Sequence, residues 1–131
     1  MANPNIVAVT NILGGNLGWN LTATATTTLV TVAAEKILKI NRLTVANVDG
    51  TNSATVDVYV DGLTTAGASG LSATGASATV YLAKTISVPA DSTLVLADTP
   101  IYLMEGDILK GGASAASDLD LFISYEVLDD A

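Results

Sequence analysis

The residues best suited to chemistry in this chain are carboxylates that recur in short turns and along strand-like runs: Asp49, Asp57, Asp61, Glu105, Asp107, Asp118 and Asp120. Oxygen ligands of this kind hold calcium, and a facing pair of them can hydrolyse a glycoside. Asp49-Gly50-Thr51-Asn52 has the composition of a small calcium loop. It is equally a hairpin turn, in which glycine takes positive φ and Asp and Asn tolerate it, and no EF-hand spacing follows. We read it as a turn. Glu105-Gly106-Asp107 reads the same way, its acidic side chains solvating a tight turn and capping its amides, and Asp129 and Asp130 read as a solvated tail. Histidine and cysteine do not occur. Ser-His-Asp and Cys-His constellations, disulfides and zinc-thiolate sites are therefore excluded. No serine stands in a context that would pair it with a lysine for catalysis. The expectation is a non-enzymatic protein with no cofactor and no metal centre.

Two groups remain as candidates for binding rather than turnover. Tyr59 and Tyr81 fall on the less apolar face of their runs, so across a strand pair they would form a half-exposed patch. That patch reads either as a cross-strand contact under a loop or as a partner-binding surface. Near the start, Asn5, Ile6, Val7 and Val9 form a short β-type run ahead of Asn11, Gly14, Gly15 and Asn16. It reads as an edge strand or as an arm, spanning 1–16, that docks on a neighbour by strand addition. Trp19, between Gly18 and Asn20, reads as a core or edge anchor.

The elements that must position these residues are strands. Leu119, Leu121, Ile123, Tyr125 and Val127 alternate with Asp120, Ser124 and Glu126, and Val56, Val58 and Val60 alternate with Asp57, Tyr59 and Asp61. Period-two alternation makes one buried face and one wet face. Ile37 to Val48 reads as a long strand in which Leu38 and Ile40 have one parity and Leu43 and Val45 the other, which predicts a bulge near Asn41-Arg42. Val80, Leu82, Ile86 and Val88 predict a further buried strand face, with Lys84 snorkelling from it. Trp19 to Val32 is threonine-dense and strand-like, and Ala33-Ala34-Glu35-Lys36 reads as a turn. Leu94 to Leu96, Ile101 to Met104 and Ile108 to Lys110 are shorter runs. Gly111 to Ser117 reads as a small-residue loop, and 63–77 as an exposed low-complexity hairpin loop, too poor in apolar mass to order itself. The sum is a single all-β domain over 1–131, an antiparallel β-sandwich, jelly-roll-like, of about eight or nine strands.

Composition agrees. With 131 residues, half of them hydrophobic, one core can form without staples. The formal net charge of −8 disfavours nucleic acid as a partner, and neither a signal peptide nor a membrane-spanning stretch is expected.

Beyond these patterns, Tyr81-Leu82-Ala83-Lys84-Thr85-Ile86-Ser87-Val88-Pro89-Ala90-Asp91-Ser92, through Leu94-Val95-Leu96, resembles small virion proteins of tailed bacteriophages, including those infecting cyanobacteria. So do Pro100 to Ile108, Leu119 to Glu126, Val45 to Thr51 and the opening Met1 to Val7, whereas Leu63 to Ser77 departs from the compact form. The resemblance implies a β-sandwich particle protein, best matched by a capsid decoration (cement) protein that binds the outside of the assembled head and stabilises it. It implies the major capsid protein as partner and a homo-oligomer, with a trimer at a local threefold axis among the options. The location implied is the capsid exterior of a virion assembled in the bacterial host cytoplasm. The alternative is a tail, neck or fibre component that binds a host receptor.

Overall fold

The computed structural model of the chain describes residues 8–63 and 75–129. Nine strands run through them: β1 Asn11–Asn20, β2 Thr27–Thr31, β3 Lys36–Asn47, β4 Ala54–Asp61, β5 Val80–Val88, β6 Thr93–Ala97, β7 Ile101–Leu103, β8 Ile108–Ala113 and β9 Leu119–Asp129. One sheet has the order β1-β9-β3-β6, with β7 also on β3, and the other β2-β8-β4-β5. All pairings are antiparallel. Two four-strand sheets filled by strands that cross between them in this order make a jelly roll, with β6 and β7 acting as one interrupted strand. The all-β sandwich expected from the alternation is what the chain forms.

The core lies between the sheets. Ile40, Leu43, Val45, Leu121 and Ile123 of the first sheet meet Val56, Val58 and Leu109 of the second, and each of these is completely buried. Burying a side chain of this size stabilises by about 1.5–3 kcal/mol relative to exposure. The parity switch in β3 is a real bulge: its register against β9 shifts between Ile40 and Arg42. That extra residue lets Leu38 and Ile40 on one side of it, and Leu43 and Val45 on the other, all face the same core.

Polar ties hold the ends of the layers. Asn47, the last residue of β3, is buried. Its Nδ2 donates to the carbonyls of Asn52 (3.0 Å) and Val88 (2.9 Å), and its Oδ1 accepts from the Asp49 amide (2.9 Å). One side chain thereby joins β3 to the following turn and to the end of β5 in the opposite sheet. Asp49 caps the same turn, its Oδ1 accepting from the Thr51 amide at 2.8 Å. Gly50 does not take positive φ, contrary to expectation; the nearby left-handed residue is Asp91, at φ 55°. A Cβ at Gly50 would make only ordinary contact with the Asp91 carboxylate, 3.4 Å from Oδ2, so neither φ nor space requires glycine there.

Several local readings are corrected. The glycine-rich stretch after Thr10 is strand β1 itself, paired with β9 from Asn11↔Asp129 to Asn20↔Asp120. Leu21 to Thr26 connects the sheets, so the run from Trp19 to Val32 holds the end of β1 and the five-residue strand β2 rather than one strand. β5 buries Ala83 and Val88 and leaves Val80, Leu82 and Ile86 exposed. Its register against β4 shifts twice and Thr85 sits at φ 54°, so a simple two-residue period cannot describe it. Gly111 to Ala113 is the buried end of β8 rather than a loop. The low-complexity stretch 64–74 lies outside the described residues.

Candidate functional site

Because β4 and β5 are neighbours, Tyr59 falls directly opposite Tyr81. Their ring centroids are 4.8 Å apart, with the planes tilted by 33°. Tyr59 is 6% exposed and Tyr81 43%, so the pair presents one ring to solvent and uses the other as its base. Lys84 Nζ lies 4.9 Å from the Tyr81 centroid, a cation–π contact that keeps a positive charge on the patch. On the other side of Tyr59, across the β4–β8 pair, stands Lys110. Its Nζ donates to Asp61 Oδ2 at 2.9 Å. Asp61 also accepts at Oδ1 from Thr79 Oγ1 (2.7 Å) and from the Gly62 amide (2.9 Å). With Thr79 foremost and Lys110 next, these bonds pull the Asp61 carboxyl down to about 2. The same partnership with Asp61 raises the Lys110 ammonium. A carboxylate held this firmly as an anion has no proton to give near neutrality, so Asp61 fits anchoring rather than acid–base work. The surface offers aromatic area, which is the chemistry of contact.

Of the other residues expected to bind, Asn5, Ile6 and Val7 lie outside the described residues. Val9 is half-buried, and the chain just after it is tied down, since the Thr10 amide and hydroxyl both donate to the Asp129 carbonyl, at 2.9 and 3.0 Å. Tyr59 and Tyr81 therefore come together, whereas Val9 lies by the other sheet, beside the close of β9.

The acidic turn before β8 is not solvated, which corrects the sequence reading. Glu105 and Asp107 are each only 4% exposed. Asp107 Oδ2 accepts from the Met104 amide at 2.8 Å, and Glu105 Oε2 from the Glu35 amide. The backbone of the turn is laced to Val32 in both directions, Gly106 N to Val32 O at 2.9 Å and Val32 N to Asp107 O at 3.0 Å. Desolvation raises the Asp107 carboxyl, and the Met104 amide offsets part of that rise. These acids are structural clamps between the β7–β8 and β2–β3 turns. Among the described residues, no group of three or more acidic side chains is arranged to hold a metal ion.

No family model, curated protein or solved structure matches the chain. Function is thus argued from its surfaces.

A second surface was not foreseen. β1 forms one edge of its sheet and leaves Ile12 61%, Leu13 59% and Leu17 36% exposed, with Phe122 of the adjoining strand at 45%. Leu13 pairs with Val127 and Leu17 with Ile123, on the core side, while Ile12 and Gly18 pair with Leu128 and Phe122 on the outer side. Alternation around glycines hid this strand in the sequence. Absence of charge did not mark it either, because no charged side chain occurs between Met1 and Ala34.

Proposed function

We propose that the protein is a structural component of a tailed-bacteriophage particle, a capsid decoration protein that binds the outside of the assembled head and stabilises it. The observation that carries this reading is a jelly roll that, among the described residues, exposes apolar side chains along the β1 edge and an aromatic ring at Tyr81. Such a body works by cohesion. Each copy bridging neighbouring shell subunits adds interface that expansion of the head must break, and repetition over the shell multiplies a weak contact. The stretches that resemble virion proteins support it as well, because they fall on β5 to β7, on β9 and on the close of β3, which are framework elements. A fold alone does not carry function, so location is the deciding measurement.

A tail, neck or fibre position is the second reading, favoured by the half-exposed Tyr81 with Lys84 over its ring. Electron microscopy of intact particles carrying labelled protein separates the two. Label over the head surface supports decoration, and label confined to the tail or neck transfers the protein to the second reading. Particles that carry none of it sink both. A truncation testing the docking arm should remove only residues 1–8, because Thr10 already bonds Asp129 and β1 begins at Asn11.

A further inference from the structure

Among the described residues the two sheets leave four edges, and these edges differ. β2 is five residues long and bulged between Thr28 and Val30. The β6–β7 edge consists of strands of five and three residues separated by Asp98-Thr99-Pro100. β5 slips register twice, bends at Thr85 and carries Lys84. Shortness, bulges, proline and lysine are the devices by which soluble sheets avoid pairing with other chains. β1 has none of them. It runs ten residues in unbroken register with β9, without proline or charge.

We propose that β1 pairs antiparallel with β1 of a second copy about a two-fold axis at Gly15, so that the β1-β9-β3-β6 sheet continues across a dimer. The occupant follows from self-complementarity. A two-fold axis perpendicular to a sheet keeps core-side faces together, so only residues of like face can oppose each other. Centred on Gly15, it sets Leu13 opposite the partner's Leu17 and Leu17 opposite the partner's Leu13, covering both exposed leucines. It also sets the partner's Ile12 opposite Gly18. There an open depression of about 340 Å³ is lined by Gly18, Trp19, Asn20, Asp120, Leu121 and Phe122, and an isoleucine leaning across the glycine reaches Phe122. One register thus covers the four exposed apolar side chains of this region. Charge is compatible with the same strip; β2, β6 and β7 are uncharged too and are set aside by their shortness. Copies carrying −8 each repel over most of their surface, so they meet through a neutral segment. The proposal rests on strand edges alone and stands or falls separately from the virion reading.

The test uses the full chain. Sedimentation or light scattering from micromolar to near-millimolar concentration is expected to reach twice the 13.2 kDa of one chain. Leu13→Lys/Leu17→Lys is expected to stay at one chain with an unchanged far-ultraviolet spectrum, whereas Leu82→Lys on the β5 edge still dimerises. A second arm does not depend on tolerance of lysine. The chain has no cysteine of its own, so Leu13→Cys/Leu17→Cys should oxidise to a dimer, because directly opposed strand residues lie about 4.5–5.5 Å apart, within disulfide reach. Leu17→Cys alone should not, since in this register the two thiols are four residues, about 13 Å, apart. A parent chain that stays single throughout overturns the proposal, even if it binds another protein through β1. So does a dimer that survives the lysine pair, or cross-linking equally efficient in the single and double cysteine variants.

Discussion

The sharpest stability prediction concerns Gly112, in the buried end of β8. A Cβ at this position would lie 2.6 Å from the Thr24 carbonyl oxygen and 2.7 Å from both Thr24 C and Ala25 Cα. All three atoms are backbone, so no side chain can swing away. The obstructing turn is itself pinned: Thr24 O accepts from Thr27 Oγ1 (2.8 Å) and Thr27 N (3.2 Å), and Thr22 O from the Ala113 amide (2.9 Å). Gly112→Ala must therefore either distort β8 or push the turn outward and loosen bonds worth about 1 kcal/mol each. Overpacking of this kind costs about 1–3 kcal/mol, against which the lost freedom of the unfolded glycine returns about 0.4–1 kcal/mol. For a domain of this size about 1 kcal/mol corresponds to roughly 4 °C, so the melting temperature should fall by several degrees. Gly14, with nothing within 4 Å of its would-be Cβ, is the control: Gly14→Ala should melt at or slightly above the parent. Thermal unfolding followed by circular dichroism at one protein concentration measures all three. If Gly112→Ala melts as high as Gly14→Ala, the close approach of the Thr24 turn does not restrain β8 and the reasoning is wrong.

Asn47→Ala should lose about 2–3 kcal/mol, because it deletes three hydrogen bonds and strands the buried Val88 carbonyl; a loss under about 0.5 kcal/mol in urea unfolding would show that it does not tie the sheets. The raised carboxyl of Asp107 has a definite sign. Between its unfolded and folded values the folded chain holds the extra proton, so this group's contribution to stability grows as pH falls from neutral and is lost as pH rises through the folded value. Asp107→Asn should be at least as stable as the parent at pH 7, with the difference shrinking on acidification; comparing variant with parent cancels the general effect of net charge, and a variant much weaker at pH 7 refutes the burial argument. Asp61, held at about 2, acts oppositely, stabilising above the usual carboxylate value and losing that contribution as pH falls toward 2, so Asp61→Asn should flatten the acid limb of the same titration. Self-association through a neutral strip in an acidic chain should tighten with added salt, since at 0.1 M screening largely removes repulsion between exposed charges more than about 10 Å apart; weakening with salt would point to an ionic interface instead.

What could be read in advance was whatever depends on neighbours in sequence. The alternation of β4 and β9 reports which side faces the core, and the parity switch in β3 locates its bulge, because both are properties of consecutive residues. The meeting of Tyr59 and Tyr81 followed from parity together with one hairpin-like pairing. What depends on distant partners was not visible. Glu105 reads as a solvated turn residue until Glu35, seventy positions away, supplies the amide it accepts from. Gly111 and Gly112 read as loop until the Asp57 carbonyl, 2.6 Å from a Gly111 Cβ, and the Thr24 turn close over them. Asn47 carried a usable signal: it continues the inward parity of Leu43 and Val45 with a polar side chain, the mark of a buried residue that must find partners.

Edges and charge together explain why one unguarded strand need not make the protein aggregate. An exposed neutral strand invites extension without limit when its partner presents a different edge, since each addition leaves a fresh one. Two-fold pairing of β1 with itself consumes the edge in both copies at once, and the edges that remain are short, bulged or carry lysine. Repulsion reinforces the stop. Lys36, Lys39 and Lys110 are committed within the chain to Asp129, Glu126 and Asp61, at 2.7, 4.0 and 2.9 Å, so little positive charge is left to draw a third acidic copy onto the pair. Closure at two therefore follows from where this chain places its lysines and bulges, with no need for a strong interface.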